Sequence, residues 1–349
     1  MKERQPVVIE FRRERLRARF LDPRTDFSEK VHSFEVRADP LTQAPSYIYE
    51  VRRVSPQKKD LSPVIQESLN GECPFCPQAV DKLTPKFVAE LLPQGRIQVG
   101  EARLFPNAMP YAPYSAILVL SRRHFVALPD FTREMLTDGL VASRAYLQRV
   151  QEYDSRAKYI YIGWNYMPPS GGSQLHPHLQ VEAAYFPAPY QKELLEASRQ
   201  YRIANGTNFW SDLVIKEREL GERFIGNTGS ICWLTSFVPR AKLLDIQAVF
   251  EQRETFLDIP DEEFGYFASG LEKVFRYMND QNFYSFNLSI NSGIAGDGYF
   301  WTQARIIPRM TFSRLEISDC SYYDVLQDLH FAVRYPEDTC RELKRYFEG

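Results

Sequence analysis

The sequence predicts an α+β protein with antiparallel sheets and packed helices, in which one structural unit is written twice. Three observations predict it. Apolar strand-like runs and helix-period segments recur in the same order in both halves of the chain. Each half holds a long helix whose start is marked by proline and acidic residues. A Pro-rich stretch, Phe186-Pro-Ala-Pro-Tyr190, and the helix after it form the link, so the expected units are residues 1–190 and 191–349.

The elements follow in order. Residues 101–107 lead through Pro110 and Pro113 into an apolar strand, 116–120, and then to basic Arg122, Arg123 and His124. The expected counterpart is 222–227 leading into 231–237, then Pro239, Arg240 and Lys242. Leu128-Pro-Asp130 opens the first helix, with Phe131, Met135, Leu136, Leu140 and Leu147 at helical spacing. Ile259-Pro-Asp261 opens the second, with Phe264, Phe267, Leu271, Val274, Phe275 and Met278. Each helix is followed by a strand, 158–165 or 284–291. Each strand then runs through a glycine-containing turn into a last strand, 175–181 or 299–307. The basic run 12–19 reads as a solvated helix face and carries no assigned role.

Bulk properties narrow the function. At 349 residues, 44% hydrophobic and 25% charged, the chain has the composition of an ordinary globular protein. A net charge of −2 makes no electrostatic case for nucleic acid or an anionic membrane surface. No apolar run approaches the roughly 18 residues that a membrane span needs. Five scattered cysteines make no disulfide framework, which points to a reducing cytoplasm.

The chemistry concentrates in residues 171–182, Gly-Gly-Ser-Gln-Leu-His-Pro-His-Leu-Gln-Val-Glu. In an extended strand His176, His178 and Gln180 point to one face. Such a row suits phosphorus chemistry, with an imidazole nucleophile and an amide that holds an adduct without activating water. Cys73-Pro-Phe-Cys76 can put two thiolates on one Zn²⁺, and with only five histidines available the economical tetrahedron adds His124 and His176. The same knuckle also fits two ordinary buried cysteines. If His176 binds the metal, the ion is structural and His178 is left free as the nucleophile. Gly172 and Ser173 sit where backbone and hydroxyl donors can hold a phosphate. Asn165 suits either a phosphate contact or a turn cap, and Asn107 a base or ribose contact or an ordinary Pro-Asn turn. Where the first half has His176-Pro-His178, the second has Gln303-Ala-Arg305, so the second unit keeps the scaffold and not the nucleophile.

These residues together resemble the galactose-1-phosphate uridylyltransferase family of the histidine-triad superfamily. That family joins two histidine-triad-like units and carries a C-x2-C, a distant His and a His-Pro-His-Gly-Gln strand. The resemblance spans residues 37–310 or so and implies zinc at Cys73, Cys76, His124 and His176. It implies nucleotidylation of His178 beside Gln180, and nucleotide contacts from Ser173, Asn165 and Asn107. Asp39-Pro-Leu-Thr42 followed by Arg52 and Arg53 is similar to the family segment whose arginines approach the phosphates. Leu179 replaces the family glycine on the opposite strand face, and the second unit lacks the His-x-His of some relatives. The C-terminal segment that contacts the hexose finds no match, so the resemblance does not extend to galactose.

The expectation is a cytoplasmic, ping-pong nucleotidyltransferase that moves an NMP, by analogy UMP, between a nucleotide sugar and a sugar 1-phosphate. The resemblance also implies a homodimer. One rival keeps the chemistry and uses inorganic phosphate as acceptor, making a phosphorylase of nucleoside-diphosphate sugars or dinucleoside polyphosphates. Another is a zinc-stabilised nucleotide-binding module without turnover.

Overall fold

The computed structural model describes residues 9–49, 56–312 and 317–348. The chain begins with a hairpin, β1 (Arg13–Asp22) and β2 (Ser28–Ala38), followed by β3 (Pro45–Ile48). Two short helices, α1 (Ser62–Asn70) and α2 (Val80–Leu83), flank the Cys73–Cys76 knuckle. The first unit then reads β4 (Ile97–Val99), β5 (Ala102–Pro106), β6 (Tyr114–Val119), α3 (Arg133–Tyr153), β7 (Tyr159–Tyr166) and β8 (His178–Ala184). Helices α4 (Pro189–Asn205) and α5 (Phe209–Leu220) make the link. The second unit reads β9 (Phe224–Thr228), β10 (Ile231–Thr235), β11 (Ile246–Phe250), α6 (Asp261–Asp280), β12 (Phe286–Asn291) and β13 (Gln303–Pro308). After it come β14 (Thr311–Phe312), β15 (Ile317–Ser318), α7 (Tyr322–Leu326), β16 (His330–Ala332) and α8 (Pro336–Phe347).

The duplication is visible in the sheet. Strand order is β4-β5-β6-β8-β7 in one unit and β9-β10-β11-β13-β12 in the other, and β7 pairs antiparallel with β12. Ten strands thus form one continuous sheet. Each unit contributes five strands, one more than the sequence suggested, and the expected match of 116–120 to 231–237 is displaced. By position in the sheet the counterpart of β6 is β11, which the sequence reading passed over. All five residues of β11 are buried, so it lacks the alternation that advertises a half-exposed strand.

Period two is clean in the strands at the centre. In β7 and β8 every second residue is buried, and those residues share one face with α3 and α6. Leu179, Val181, Ile162 and Trp164 pack there with Leu140, Leu147, Phe267 and Phe275. Trp164 meets Phe131, Phe275 and Phe286 at ring-centroid distances of 5.0, 5.9 and 5.0 Å, so residues of both units share this core. The second helix starts at Asp261 as expected, whereas Leu128–Asp130 forms a separate 3-10 turn and α3 begins at Arg133. Thr132 caps α3 through Met135 N–H, and Asp261, Glu262 and Glu263 fill the first turn of α6.

The other face of the sheet is covered at two places. The knuckle contributes Phe75, which with Val80 covers Phe105, Ile117 and Val119. At the far side α4 and α5 bury Leu194, Trp210 and Leu213 against Cys232, Leu234 and Val249. The strip between these covers is polar.

The basic run is not a helix. Residues 13–19 lie in β1, with Arg13, Arg15, Arg17 and Arg19 on one face and Leu16, Ala18 and Phe20 on the other. Leu16 stands opposite Phe34 of β2, and Arg19 forms a two-point pair with Glu29 at 2.9 and 2.7 Å. A charge at every second residue fits strand periodicity, and cross-strand partners are what make it a hairpin.

Candidate active site

Two thiols and two imidazoles converge at the start of β8. The ligand atoms of Cys73, Cys76, His124 and His176 all lie within 4.8 Å of one another. Cys76 Sγ is 3.3 Å from His124 Nδ1, and His176 Nδ1 is 3.7 Å from each sulfur. A zinc tetrahedron with Zn–S of about 2.3 Å and Zn–N of about 2.0 Å needs S···N separations of about 3.6 Å, so the four atoms fit that ion. Both rings are oriented from behind. His176 Nε2–H donates to the Ser121 carbonyl at 2.7 Å, leaving the Nδ1 lone pair toward the sulfurs. His124 Nε2 meets Ser68 Oγ of α1 at 2.8 Å. Burial drops His176 to about 4, and burial together with Cys73 pushes the Cys76 thiol up to about 11. A divalent ion would bind here by displacing thiol protons.

The turn that delivers β8 is tightly built. It runs from Met167, at φ 71°, through Pro168–Ser170 to Gly171 at φ 88°. A side chain on Gly172 would stand 2.6 Å from the Asn165 carbonyl oxygen, so only glycine fits. His178 follows on the polar face. Its Nδ1 donates to the His176 carbonyl at 2.8 Å, which fixes the proton on Nδ1 and leaves Nε2 with a lone pair. Among the described residues Nε2 has no protein partner. Burial lowers the His178 pKa, opposed by that hydrogen bond, so the ring is neutral near pH 7. Phe75 packs on it at 5.2 Å between centroids and touches His176 at 6.2 Å.

Gln180 is half-buried on the same face, with Ile117 and Gly163 as its cross-strand neighbours. Its amide makes no protein hydrogen bond among the described residues. Beside it the bare Gly163 leaves open space, and Ser289 across from Gly163 is exposed.

The other expected residues fare differently. Asn165 accepts from Asn287 Nδ2 at 2.6 Å, and Asn287 in turn is held by Arg309 at 2.9 Å, so the second unit braces it. Ser173 is exposed on the turn, and Gly172 is buried beneath it. Asn107 makes an Asx turn, accepting from Met109 N–H at 3.0 Å, and its amide donates to Ser115 Oγ at 3.3 Å. Arg52 and Arg53 lie outside the described residues. Leu179 is 4% exposed in the core on the helix side, so its bulk stays off the row of His178 and Gln180. Gln303 and Arg305 share the face of Gln180 three strands away, and Arg305 is occupied by Asp245 at 3.2 Å, Tyr190 at 3.0 Å and Ser236 at 2.7 Å.

Sequence reasoning missed Phe75, although it sits inside the knuckle, and Ser68, which no spacing connects to His124. It also stopped short of Glu182, which extends the row His178, Gln180 by one more step. Ser115 Oγ donates to Glu182 Oε1 at 3.1 Å. Burial raises the Glu182 pKa, opposed by that bond.

No family model matches the chain. A protein of Archaeoglobus fulgidus, described as an uncharacterized protein, is 30% identical over 310 residues, 89% of this chain and 91% of its own. The structure of an ADP-glucose phosphorylase from Arabidopsis thaliana with bound ADP-glucose is similar at a TM-score of 0.71 and 16% identity, covering 89% of this chain and 98% of that one. A galt-like protein of the same plant gives 0.69 at 16% identity over 88% and 98%. A uridylyltransferase gives 0.66 at 18% identity over 90% and 98%. At these identities the likeness establishes the fold.

Proposed function

Because the chain belongs to the same family as the Archaeoglobus fulgidus protein and has the galactose-1-phosphate uridylyltransferase-like fold, we propose that it is a nucleotidyltransferase acting through a covalent nucleotidyl-histidine at His178. One observation carries this reading. The imidazole is neutral, its Nδ1 proton is committed to the His176 carbonyl, and among the described residues neither its Nε2 lone pair nor the neighbouring Gln180 amide has a protein partner.

In the first half-reaction His178 Nε2 attacks the α-phosphorus of a nucleoside diphosphate sugar. A P–N bond forms, the P–O bond to the β-phosphate breaks, and the electron pair leaves with a sugar 1-phosphate. The Nδ1–H···O=C bond stabilises the positive charge that develops on the ring. The Gln180 amide donates to a non-bridging oxygen in the transition state and the adduct. Because an amide moves no proton near neutral pH, water is not activated and the adduct waits for a phosphate oxygen. Attack by the acceptor reverses the bonding and returns the lone pair to Nε2. Ser173 of the turn offers a hydroxyl to the phosphates, the Gly172 N–H being spent on the Met167 carbonyl at 3.3 Å, and Arg52 and Arg53, outside the described residues, are the cationic partners that the family resemblance implies. Cys73, Cys76, His124 and His176 would hold one Zn²⁺, whose four protein ligands leave no open position, and its contribution is to fix the start of β8.

A sugar 1-phosphate is the acceptor in this reading. Inorganic phosphate is the second, favoured by the similarity to the ADP-glucose phosphorylase. Incubation with α-³²P-labelled nucleotide sugars, without acceptor, tests the common step. Acid-labile label on His178, absent from His178→Gly with its fold and metal content intact, is expected. Full labelling of that variant refutes the assignment.

A further inference from the structure

We infer that Glu182 selects the nucleobase, favouring one with an exocyclic amino group over uracil. The inference rests on the nucleotide being anchored at His178 and names the class of nucleotide that this site takes. On β8 the residues His178, Gln180 and Glu182 face the same way at steps of about 6.7 Å, so Glu182 lies about 13 Å along the strand from the nucleophile. A nucleotide joined to His178 through phosphorus has one open direction along that row. Toward His176 the way is closed by the knuckle, where Phe75 lies against both imidazoles. In the other direction the ribose comes alongside Gln180 and the base alongside Glu182.

That end of the row offers polar groups to a flat, polar-edged ligand. Ser115 of β6 and Tyr161 of β7 are the cross-strand neighbours of Glu182. The loop from Asn107 to Pro113 begins at the same level, where Asn107 N–H donates to the Ser115 carbonyl at 2.9 Å, and carries the exposed side chains of Met109 and Tyr111, 75% and 73% accessible. The carboxylate is held in place by a chain of donors, Asn107 to Ser115 at 3.3 Å and Ser115 to Glu182 Oε1 at 3.1 Å. Its second oxygen, Oε2, has no protein partner among the described residues.

An ionised carboxylate only accepts hydrogen bonds. Adenine and cytosine each offer an amino N–H on the pairing edge, and guanine offers an amino and a ring N–H side by side, which match both carboxylate oxygens. Uracil offers one N–H between two carbonyl oxygens, so a carboxylate that reaches it also meets like partial charge. Guanine therefore fits best and uracil worst.

Calorimetric affinities of the native chain and Glu182→Gln for GMP, AMP, CMP and UMP test this without requiring any covalent step. The native chain is expected to bind the amino-bearing nucleotides roughly tenfold or more tightly than UMP, in the range that one base contact supplies. Glu182→Gln, whose amide can donate to a uracil carbonyl, should lose that preference while holding or gaining UMP affinity, which also shows that it is folded. UMP bound as tightly as GMP by the native chain, an unchanged ranking in the variant, or no binding of any nucleotide overturns the inference. Labelling of His178 is read separately, so the ranking can fail while the covalent step stands.

Discussion

At the scale of single residues the site depends on which nitrogen carries which proton. Backbone carbonyls decide it twice, Ser121 for His176 and His176 itself for His178. The ligand set was legible in the sequence because cysteine and histidine are rare here and their chemistry is narrow. The residues that orient that set were not, since a serine looks alike wherever it stands. Ser68 is the case in point. It meets His124 Nε2 from a helix 56 residues away in sequence. Ser68→Ala should weaken zinc binding about 10-fold to 100-fold, measured by chelator competition, while nucleotide labelling at saturating zinc stays close to native. Unchanged affinity means that the hydroxyl does nothing for the ligand. Asn107 was left open by the sequence between a base or ribose contact and an ordinary Pro-Asn turn, and its side chain makes an Asx turn with Met109 N–H and donates to Ser115.

Among the elements, strands that alternate or that run apolar without a break announced themselves. β7 and β8 alternate cleanly, and their turn was placed from its glycines. β11 was missed because buried Gln247 breaks its apolar run and full burial removes the alternation, and β1 was misread because arginines on alternate positions look helical to composition alone. The two glycines of the turn before β8 make separable demands. Gly171 needs a positive φ but has open space around it, whereas Gly172 has no room for a Cβ. Gly171→Ala should cost about 1 kcal/mol of stability and little else. Gly172→Ala must push apart the Asn165 and Met167 carbonyls, and should cost about 1–3 kcal/mol and slow labelling of His178 by more than an order of magnitude. Denaturant melts and single-turnover labelling measure the two effects. Equal behaviour of the two variants would count against the turn as the device that aims the nucleophile.

For the whole molecule the duplication was legible and its consequence was not. Two units suggest two cores, yet β7 and β12 pair along their length and α3 lies against α6. Glu272 of α6 accepts from Arg133 N–H at 2.7 Å, and Arg144 of α3 binds Asp261. The chain ends are drawn in as well. β16 joins β3 in parallel, and buried Arg37 makes a two-point pair with Glu337 of α8 at 2.8 and 3.0 Å. With the core shared in this way, far-UV circular dichroism and tryptophan fluorescence should report one coincident unfolding transition, and residues 191–349 expressed alone should not fold. Two resolved transitions would mean that the seam is weaker than its pairing implies.

Phe75 stands against His176 on one side and His178 on the other. A shared wall of this kind transmits looseness. If the cysteines hold an ion and His178 is the nucleophile as proposed, removing the ion would let the ring wander, and His178 would lose its backstop before any helix frays. On that reading a chelator should slow nucleotide labelling of His178 although the metal takes no part in the proposed chemistry.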